Sequence, residues 1–530
     1  MDFTGSNFIA GEESREGKQV FTNTDPRSKQ PGTIQFHNAT ADEINRAAQA
    51  AAEAYAETRN FPPEKLAAFL DAVAGEIEEL GDELLQTADM ETGLGIPRLT
   101  GERARTTGQL RAFGNLLREG SYVEAIIDTA LPDRQPAPRP DIRRMLFPIG
   151  PVAVFSASNF PFAFSVAGGD TASAWAAGCP VVVKAHPGHP ATSEMVARAI
   201  NHAIETARFP TGFFSMVQGN TNEVGQALVQ HPAIEAVGFT GSLRGGRALY
   251  DTAAARPKPI PVYAEMGSVN PTFILPDAIR ARGEAIAEGL VNSATLGTGQ
   301  FCTKPGLVFV VNDSETPGFI QRVTGEMTLR QTGILLNEHI EKGLVNAVAK
   351  TAERSDVTVL TGGVPAHGHG YTYSNTVLQT TSEDFIRDQA LQEEHFGPVV
   401  MFVLCNSIDE LKRAANVLHG SLTATIHAEQ SELELARELY SLLREKAGRL
   451  IWNGYPTGVE VVYSMQHGGP YPATTAPATT SVGMTAIKRF MRPVAFQNVP
   501  DVLLPDSLKN ANPRKIWRIV NGEYTKAAIE

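Results

Sequence analysis

Between residues 151 and 267 the chain repeats one pattern, a short uninterrupted apolar run followed by a longer stretch of mixed polarity. The runs are PVAVFSA (151–157), PVVVKAH (180–186), FFSMVQG (213–219), AIEAVGF (233–239) and PIPVYAEMG (259–267). None alternates apolar with polar residues, as a sheet wetted on one face would. Continuous runs belong to parallel strands covered on both faces, and the spacers have room for crossover helices. The pattern predicts a doubly wound α/β sheet, whose ligand lies beyond the carboxyl ends of the strands where the strand order reverses. A second α/β series begins near 270, with a helix around 281–297, a glycine-rich loop, and apolar runs at 306–311, 398–405, 422–427 and 449–453. Ahead of both, ADEINRAAQAAAEAYAE (41–57) has helical composition and acids in its first turn, and a helical pattern continues to about residue 118. The four prolines of LPDRQPAPRP (131–140) exclude a helix and predict an extended connector or edge hairpin running into RRMLFPIG. The tail, 505–530, carries mixed charge and is expected to dock on the surface.

Composition narrows the class. A chain of 530 residues is long enough for three or four domain-sized units. With 20% charged and 42% apolar residues it is an ordinary globular composition. A net charge of −12 disfavours nucleic acid or an anionic membrane as partner. The start, MDFTGSNFIAGEESREG, lacks a basic segment followed by an apolar core, so no secretory signal is expected. The most apolar stretch, 151–168, is too polar for a membrane span. Three cysteines with no CxxC pair fit a reducing cytoplasm rather than a disulfide framework.

Of these cysteines, Cys179 and Cys405 sit beside or within hydrophobic strands and read as small buried hydrophobes. Cys302 differs: in GTGQFCTKPG, glycines 297, 299 and 306 permit a tight, exposed turn that brings the thiol and its own N–H to a ligand, so it is the candidate nucleophile. Glu265 ends an apolar strand, where a carboxylate serves either as an acid or base or as a solvated strand end. In GFTGSLRGG (238–246), Gly241 and Ser242 form a turn into a helix N-terminus, which suits phosphate but also occurs for purely structural reasons. Lys184 closes PVVVK, where it reaches either a nucleotide or water. Asn159, at the end of the first core strand, is placed either to donate to an oxyanion or to form a turn. Glu394 in EEHFGPVV is equally open.

Taken together, SNFP with Asn159, VVVKAHP with Lys184, GFTGS with Gly241, AEMG with Glu265, GQFC with Cys302 and EEHFGPV with Glu394 closely resemble the aldehyde dehydrogenase superfamily, in order and separation along nearly the whole chain. The wording of GERARTTGQLRAF, FSVAGGDTASAWAAGCPVVVKAHPGHP and NGYPTGVEVVYSMQHGGPYPATT is most similar to the branch of α-ketoglutaric semialdehyde (2,5-dioxovalerate) dehydrogenases and an NADP-linked bacterial fatty aldehyde dehydrogenase. The resemblance implies a Rossmann-type nucleotide-binding domain (1–130 and 149–267), an α/β catalytic domain (268–480), a bridging or oligomerisation β element (131–148 and 481–505) and a tail (506–530). The chain departs from the family pattern at Ser268 and Val269, where a glycine and a lysine are usual, and at Ala157 and Ser158, where Pro-Trp is usual.

The resemblance also implies roles. Cys302 attacks the aldehyde, Asn159 and the Cys302 N–H hold the oxyanion, and Glu265 activates the water that releases the acid. CoA-acylating relatives typically lack this glutamate, so hydrolysis is expected. Lys184, Ser158, His186, Pro187, Gly241, Ser242, Glu394 and Phe396 are the expected cofactor contacts, with no metal. NAD-selective members place a glutamate where Pro187 stands; since a carboxylate there would repel a 2′-phosphate, its absence favours NADP, with NAD as the alternative. Phe160 and Phe164 are expected to line the substrate pocket, and Arg103, Arg105 and Arg111 lie on a helix that borders its entrance. An arginine grips a carboxylate bidentately, so Arg105 and Arg111 are the expected carboxylate contacts. The leading substrate is α-ketoglutaric semialdehyde, with a medium- or long-chain fatty aldehyde as alternative, and a homodimer or homotetramer is expected. Two further readings are a cofactor-independent cysteine hydrolase or acyltransferase, for which no partner histidine is assigned, and a dehydrogenase fold kept for binding alone.

Overall fold

The computed structural model describes residues 2–530, and each repeated apolar run lies on a strand. Val152–Phe155, Val181–Lys184, Phe214–Val217, Ala236–Thr240 and Val262–Glu265 are parallel. Val152–Phe155 is central, with the next two strands added on one side and the last two on the other. The winding therefore reverses between Val152–Phe155 and Ala236–Thr240, which opens a crevice at their carboxyl ends. Lys184 is level with Phe155, and Thr240 with Glu265, so residues 156–159, Lys184, Gly241 and Glu265 share that edge. Two short N-terminal strands, Asn7–Ile9 and Glu12–Ser14, extend the sheet antiparallel beyond Phe214–Val217. Val152, Val154, Val181 and Val183 pack to one side with Trp175 and helix Pro63–Glu79, whereas Ala153, Val182 and Val217 pack to the other with helix Ala41–Thr58.

The second series is a seven-stranded sheet in which Thr376–Thr381, Val399–Cys405, Leu307–Val311, Thr272–Ile274, Ser421–His427 and Ala447–Trp452 run parallel. Thr358–Thr361 closes one edge antiparallel. The helix expected at 281–297 spans Pro276–Thr295.

A third sheet joins Met491–Gln497, Ile142–Pro148, Ile126–Asp128, Arg518–Val520 and Glu523–Thr525 in that order. It is wider than the 131–148 and 481–505 element read from sequence. The tail supplies two of its strands instead of lying on the surface, tied down by the buried side chain of Arg518, which donates to the carbonyls of Asn510 and Ala527. Residues 484–490, assigned from sequence to the bridging element, instead pack Met484, Ile487 and Phe490 into the core of the first domain. Among the described residues no helix is long and apolar enough to cross a membrane.

Residues 473–475 return to the first sheet. Met266 N–H donates to the Ala473 carbonyl at 2.8 Å and Thr475 N–H to the Ala264 carbonyl at 3.1 Å. This return carries residues 467–481 across the end of the strand that bears Glu265.

Candidate active site

The loop bearing Cys302 turns through three successive left-handed residues, Gly297, Thr298 and Gly299. At Gly299 only glycine fits, since a Cβ would lie 2.2 Å from the Gly397 carbonyl oxygen. The turn is buried at Thr298, Gly299 and Gln300 and half-buried at Gly297 and Cys302, less exposed than the glycines suggested, because polar side chains fasten it from inside. Gln300 donates to the Gly297 and Ile334 carbonyls and accepts from Leu336 N–H. Asn270, fully buried at φ +45°, donates to the carbonyls of Cys302 (2.8 Å) and Lys304 (2.9 Å). Asn270 is itself oriented by the hydroxyls of Ser268 and Thr423, which gives the unusual Ser268 a structural role.

Cys302 is partly open to a cavity of ≈ 570 Å³ and faces two buried partners. Nε2 of His467 lies 3.6 Å from its Sγ and 3.0 Å from Oε1 of Glu265. Ser481 donates to the other Glu265 oxygen at 2.5 Å. Burial raises the Cys302 thiol well above its ordinary range, and the neighbouring Glu265 carboxylate adds to the shift. Burial alone would raise Glu265 too, but the His467 charge and the hydrogen bonds from His467 and Ser481 overcome it and leave the carboxyl below its usual value. Asn159, 8% exposed, donates to the Gln300 carbonyl at 3.0 Å and so stands against the loop bearing Cys302.

A second layer holds Asn159. Arg98 donates to the Asn159 carbonyl at 2.7 Å and lies over the rings of Phe160 and Phe301, while Glu102, one turn along the same helix, accepts from the N–H groups of Phe162 and Ala163.

The cavity is walled by Phe160, Phe164, Phe301, Val459 and Val461 and by one face of helix Ile96–Glu119. Arg105, Gly108, Gln109 and Ala112 line it at spacings of three, four and seven residues, the period of a single helical face. Arg105 lies over the Phe164 ring, and neither an ion pair nor a hydrogen bond engages its guanidinium. Arg111 is six residues on and faces away. It is excluded from the cavity and held in a two-pronged pair with Glu78, whose carboxyl it pulls down to about 2. Arg103 is likewise turned outward, donating to the Gly81 carbonyl.

At the crevice, burial lowers the Lys184 ammonium to about 8, and its one hydrogen bond, to the Gly219 carbonyl, leaves two N–H groups free. Beside it His186, half-buried and held well below its ordinary pKa by desolvation, stacks on the buried His189, and Pro187 follows. Ser242 caps helix Leu243–Ala254 by accepting from Gly245 N–H, so the turn after Gly241 points N–H groups into the crevice. A Cβ on Gly267 would come within 2.4 Å of a Glu394 oxygen; with glycine there, that carboxylate lies against the backbone just after Glu265. Burial raises Glu394 to about 7, partly opposed by the buried Lys304. Phe396 is half-buried beside it, and Ser158 lies at the end of the central strand. Free ammonium hydrogens, a helix N-terminus and a carboxylate at one sheet edge fit a dinucleotide.

His467, Ser481 and Asn270 were not singled out in the sequence. A histidine followed by Gly-Gly-Pro was the visible signal for His467, but nothing local links it to a cysteine 165 positions earlier.

A nucleotide-binding sheet whose open edge meets a partly open cysteine beside a buried histidine and glutamate defines the class of nucleotide-dependent oxidoreductases. Residues 13–473 match the Aldehyde dehydrogenase family, and the chain belongs to that family. It is 46% identical over 524 residues to alpha-ketoglutaric semialdehyde dehydrogenase 2 of Azospirillum brasilense, covering 99% of this chain and 100% of that one. It is also 46% identical, over 531 residues, to alpha-ketoglutaric semialdehyde dehydrogenase of Acinetobacter baylyi, covering 98% and 99%. Among solved structures, 3,6-anhydro-L-galactose dehydrogenase in complex with NAP superposes with a TM-score of 0.80 at 22% identity, over 93% of this chain and 99% of that one.

Proposed function

We propose that the protein oxidises α-ketoglutaric semialdehyde to 2-oxoglutarate and releases the product as a free acid. The observation that carries this reading is the unpaired Arg105 guanidinium in the same cavity as the Cys302 thiol. A half-buried guanidinium that no carboxylate of the chain bonds directly can receive an anion, and an aldehyde ending in a carboxylate supplies one. Gln109, one turn further along and 4% exposed, offers an amide to the ketone oxygen. The two relatives at 46% identity bear the name of this substrate, which supports the same choice. A fatty aldehyde would suit the phenylalanine walls but would leave Arg105 unpaired.

In this reading the S–H proton of Cys302 passes to the His467–Glu265 pair, and the thiolate adds to the aldehyde carbon. The Asn159 amide and the Cys302 N–H stabilise the oxyanion; losing one such donor costs about 3 kcal/mol of barrier. When bound, the oxidised nicotinamide supplies the acceptor for the hydrogen leaving that carbon. Lys184, Ser158, His186 and Pro187 would hold its adenosine end, Gly241 and Ser242 its phosphates, and Glu394 with Phe396 its nicotinamide end. With no carboxylate at position 187, NADP is favoured over NAD. The proton held by the pair leaves for solvent, and Glu265 then takes a proton from water, which attacks the thioester, and returns it to the departing Cys302 sulfur. We further place the enzyme in the cytoplasm as a homodimer or homotetramer joined through the third sheet, where Trp517 and Tyr524 remain exposed.

The test is kcat/KM of the purified protein for α-ketoglutaric semialdehyde and for neutral aldehydes of five to twelve carbons, each with NADP and with NAD. A preference for the semialdehyde of less than about tenfold over every neutral aldehyde would rule out the proposed substrate.

A further inference from the structure

Glu265, Cys302 and His467 form more than a proton-transfer group. Their sulfur, nitrogen and oxygen atoms all lie within 4.8 Å of one another, the two that flank His467 Nε2 at 3.6 Å and 3.0 Å. Ligands of a tetrahedral zinc ion, bound at about 2.0–2.3 Å, stand about 3.3–3.8 Å apart. The two edges that meet at His467 Nε2 are therefore already close to those of such a tetrahedron. Thiolate, imidazole and carboxylate are an ordinary donor set for zinc, and hard cations such as magnesium disfavour it.

A second observation points the same way. Oε1 of Glu265 is buried and faces Nε2 of His467 at 3.0 Å, an ion pair only while His467 is protonated. Its side chain is 2% exposed, so no water relieves it from outside. With the proton off Nε2, the carboxylate oxygen, ring nitrogen and sulfur turn lone pairs toward one another, and a cation among the three would satisfy them. The cavity lined by Cys302 and His467 gives the ion an entry path and leaves its fourth position to water.

We propose that this trio is a reversible zinc site, and that Zn²⁺ inhibits the enzyme by coordinating Cys302, His467 and Glu265 together. Binding replaces the thiol proton and the proton on Nε2 of His467, both of which leave for solvent, so zinc affinity falls as the pH is lowered. The bound sulfur is then unavailable to an aldehyde or an alkylating agent. Cys179 and Cys405, both buried and remote from the trio, are untouched.

The test uses the full-length enzyme, freed of chelators and kept reduced without thiols. Zn²⁺ is expected to abolish dehydrogenase activity at one ion per chain and to slow alkylation of Cys302 by iodoacetamide, both reversed by EDTA, while Mg²⁺ at the same concentration does neither. Co²⁺ should give a tetrahedral spectrum with a thiolate charge-transfer band. His467→Asn, checked for folding by circular dichroism, should need at least about tenfold more Zn²⁺ for protection from alkylation, a readout independent of turnover. An octahedral Co²⁺ spectrum without charge transfer, stoichiometric zinc binding by Cys302→Ala, or unchanged protection in folded His467→Asn would each overturn the proposal. If His467→Asn does not fold, the Co²⁺ spectrum of the unaltered enzyme decides.

Discussion

Replacing Arg105 with methionine keeps an unbranched apolar stem while removing the one guanidinium of the substrate cavity, which no ion pair engages. For a substrate ending in a carboxylate, the change deletes a two-pronged charge-assisted contact and leaves that carboxylate in an apolar cavity. Breaking a buried ion pair from one side costs about 3–5 kcal/mol. The cavity is open to solvent, so the lower end applies, and 3 kcal/mol corresponds to a loss on the order of 10²-fold in kcat/KM. Pentanal has the same chain length without the charge and makes no call on Arg105, so its kcat/KM should stay within about threefold. The assay is initial-rate nucleotide reduction with both aldehydes, for the unaltered enzyme and for Arg105→Met, Arg105→Lys and Arg111→Met. Lysine should restore part of the loss, because a point charge replaces a fork. Arg111→Met should change neither rate, since its guanidinium is committed to Glu78. Equal losses for both aldehydes, or a semialdehyde rate indifferent to Arg105, would refute the carboxylate argument.

Ser481→Ala removes a donor to ionised Glu265, so the Glu265 pKa rises and the acid limb of kcat moves to higher pH by about one unit. For Glu394, raised to about 7, protonation weakens its acceptance of ribose hydroxyls, so the cofactor KM should climb as pH falls from 8 to 6. Lys304→Met, which removes the charge that opposes this rise, should move the inflection upward; cofactor KM measured across pH checks both. Arg98→Met frees the Asn159 carbonyl, and kcat should fall about tenfold or more with little change in aldehyde KM, measured by the same rate assay.

Much of the framework was readable because parallel strands buried on both faces leave continuous apolar runs, and each run quoted from the sequence lies on a strand. Thr272–Ile274 and Thr376–Thr381 escaped because threonines break their apolar character, although Thr272 and Thr376 are fully buried. The tail strands escaped because strands of three residues, one of them with a buried Arg518, have no period to detect. In the site, residues whose place follows from a strand end were visible: Glu265, Lys184 and Asn159. His467 and Ser481 reach Glu265 only because residues 473–475 fold back against its strand, a long-range pairing that no local pattern encodes. Among the arginines, helical period separates Arg105 from Arg111, but which face meets the cavity is set by the packing of helix Ile96–Glu119 against its neighbours.

The central claim is that Cys302 carries the acyl group and Glu265 releases it. Intact-mass and peptide mass spectrometry of Glu265→Gln, mixed with α-ketoglutaric semialdehyde and NADP, tests it most directly. The account predicts a burst of one reduced nucleotide per active chain and a stable acyl adduct on the Cys302 peptide. Reduced nucleotide accumulating over many turnovers with Cys302 unmodified, or an adduct on another residue, would contradict it.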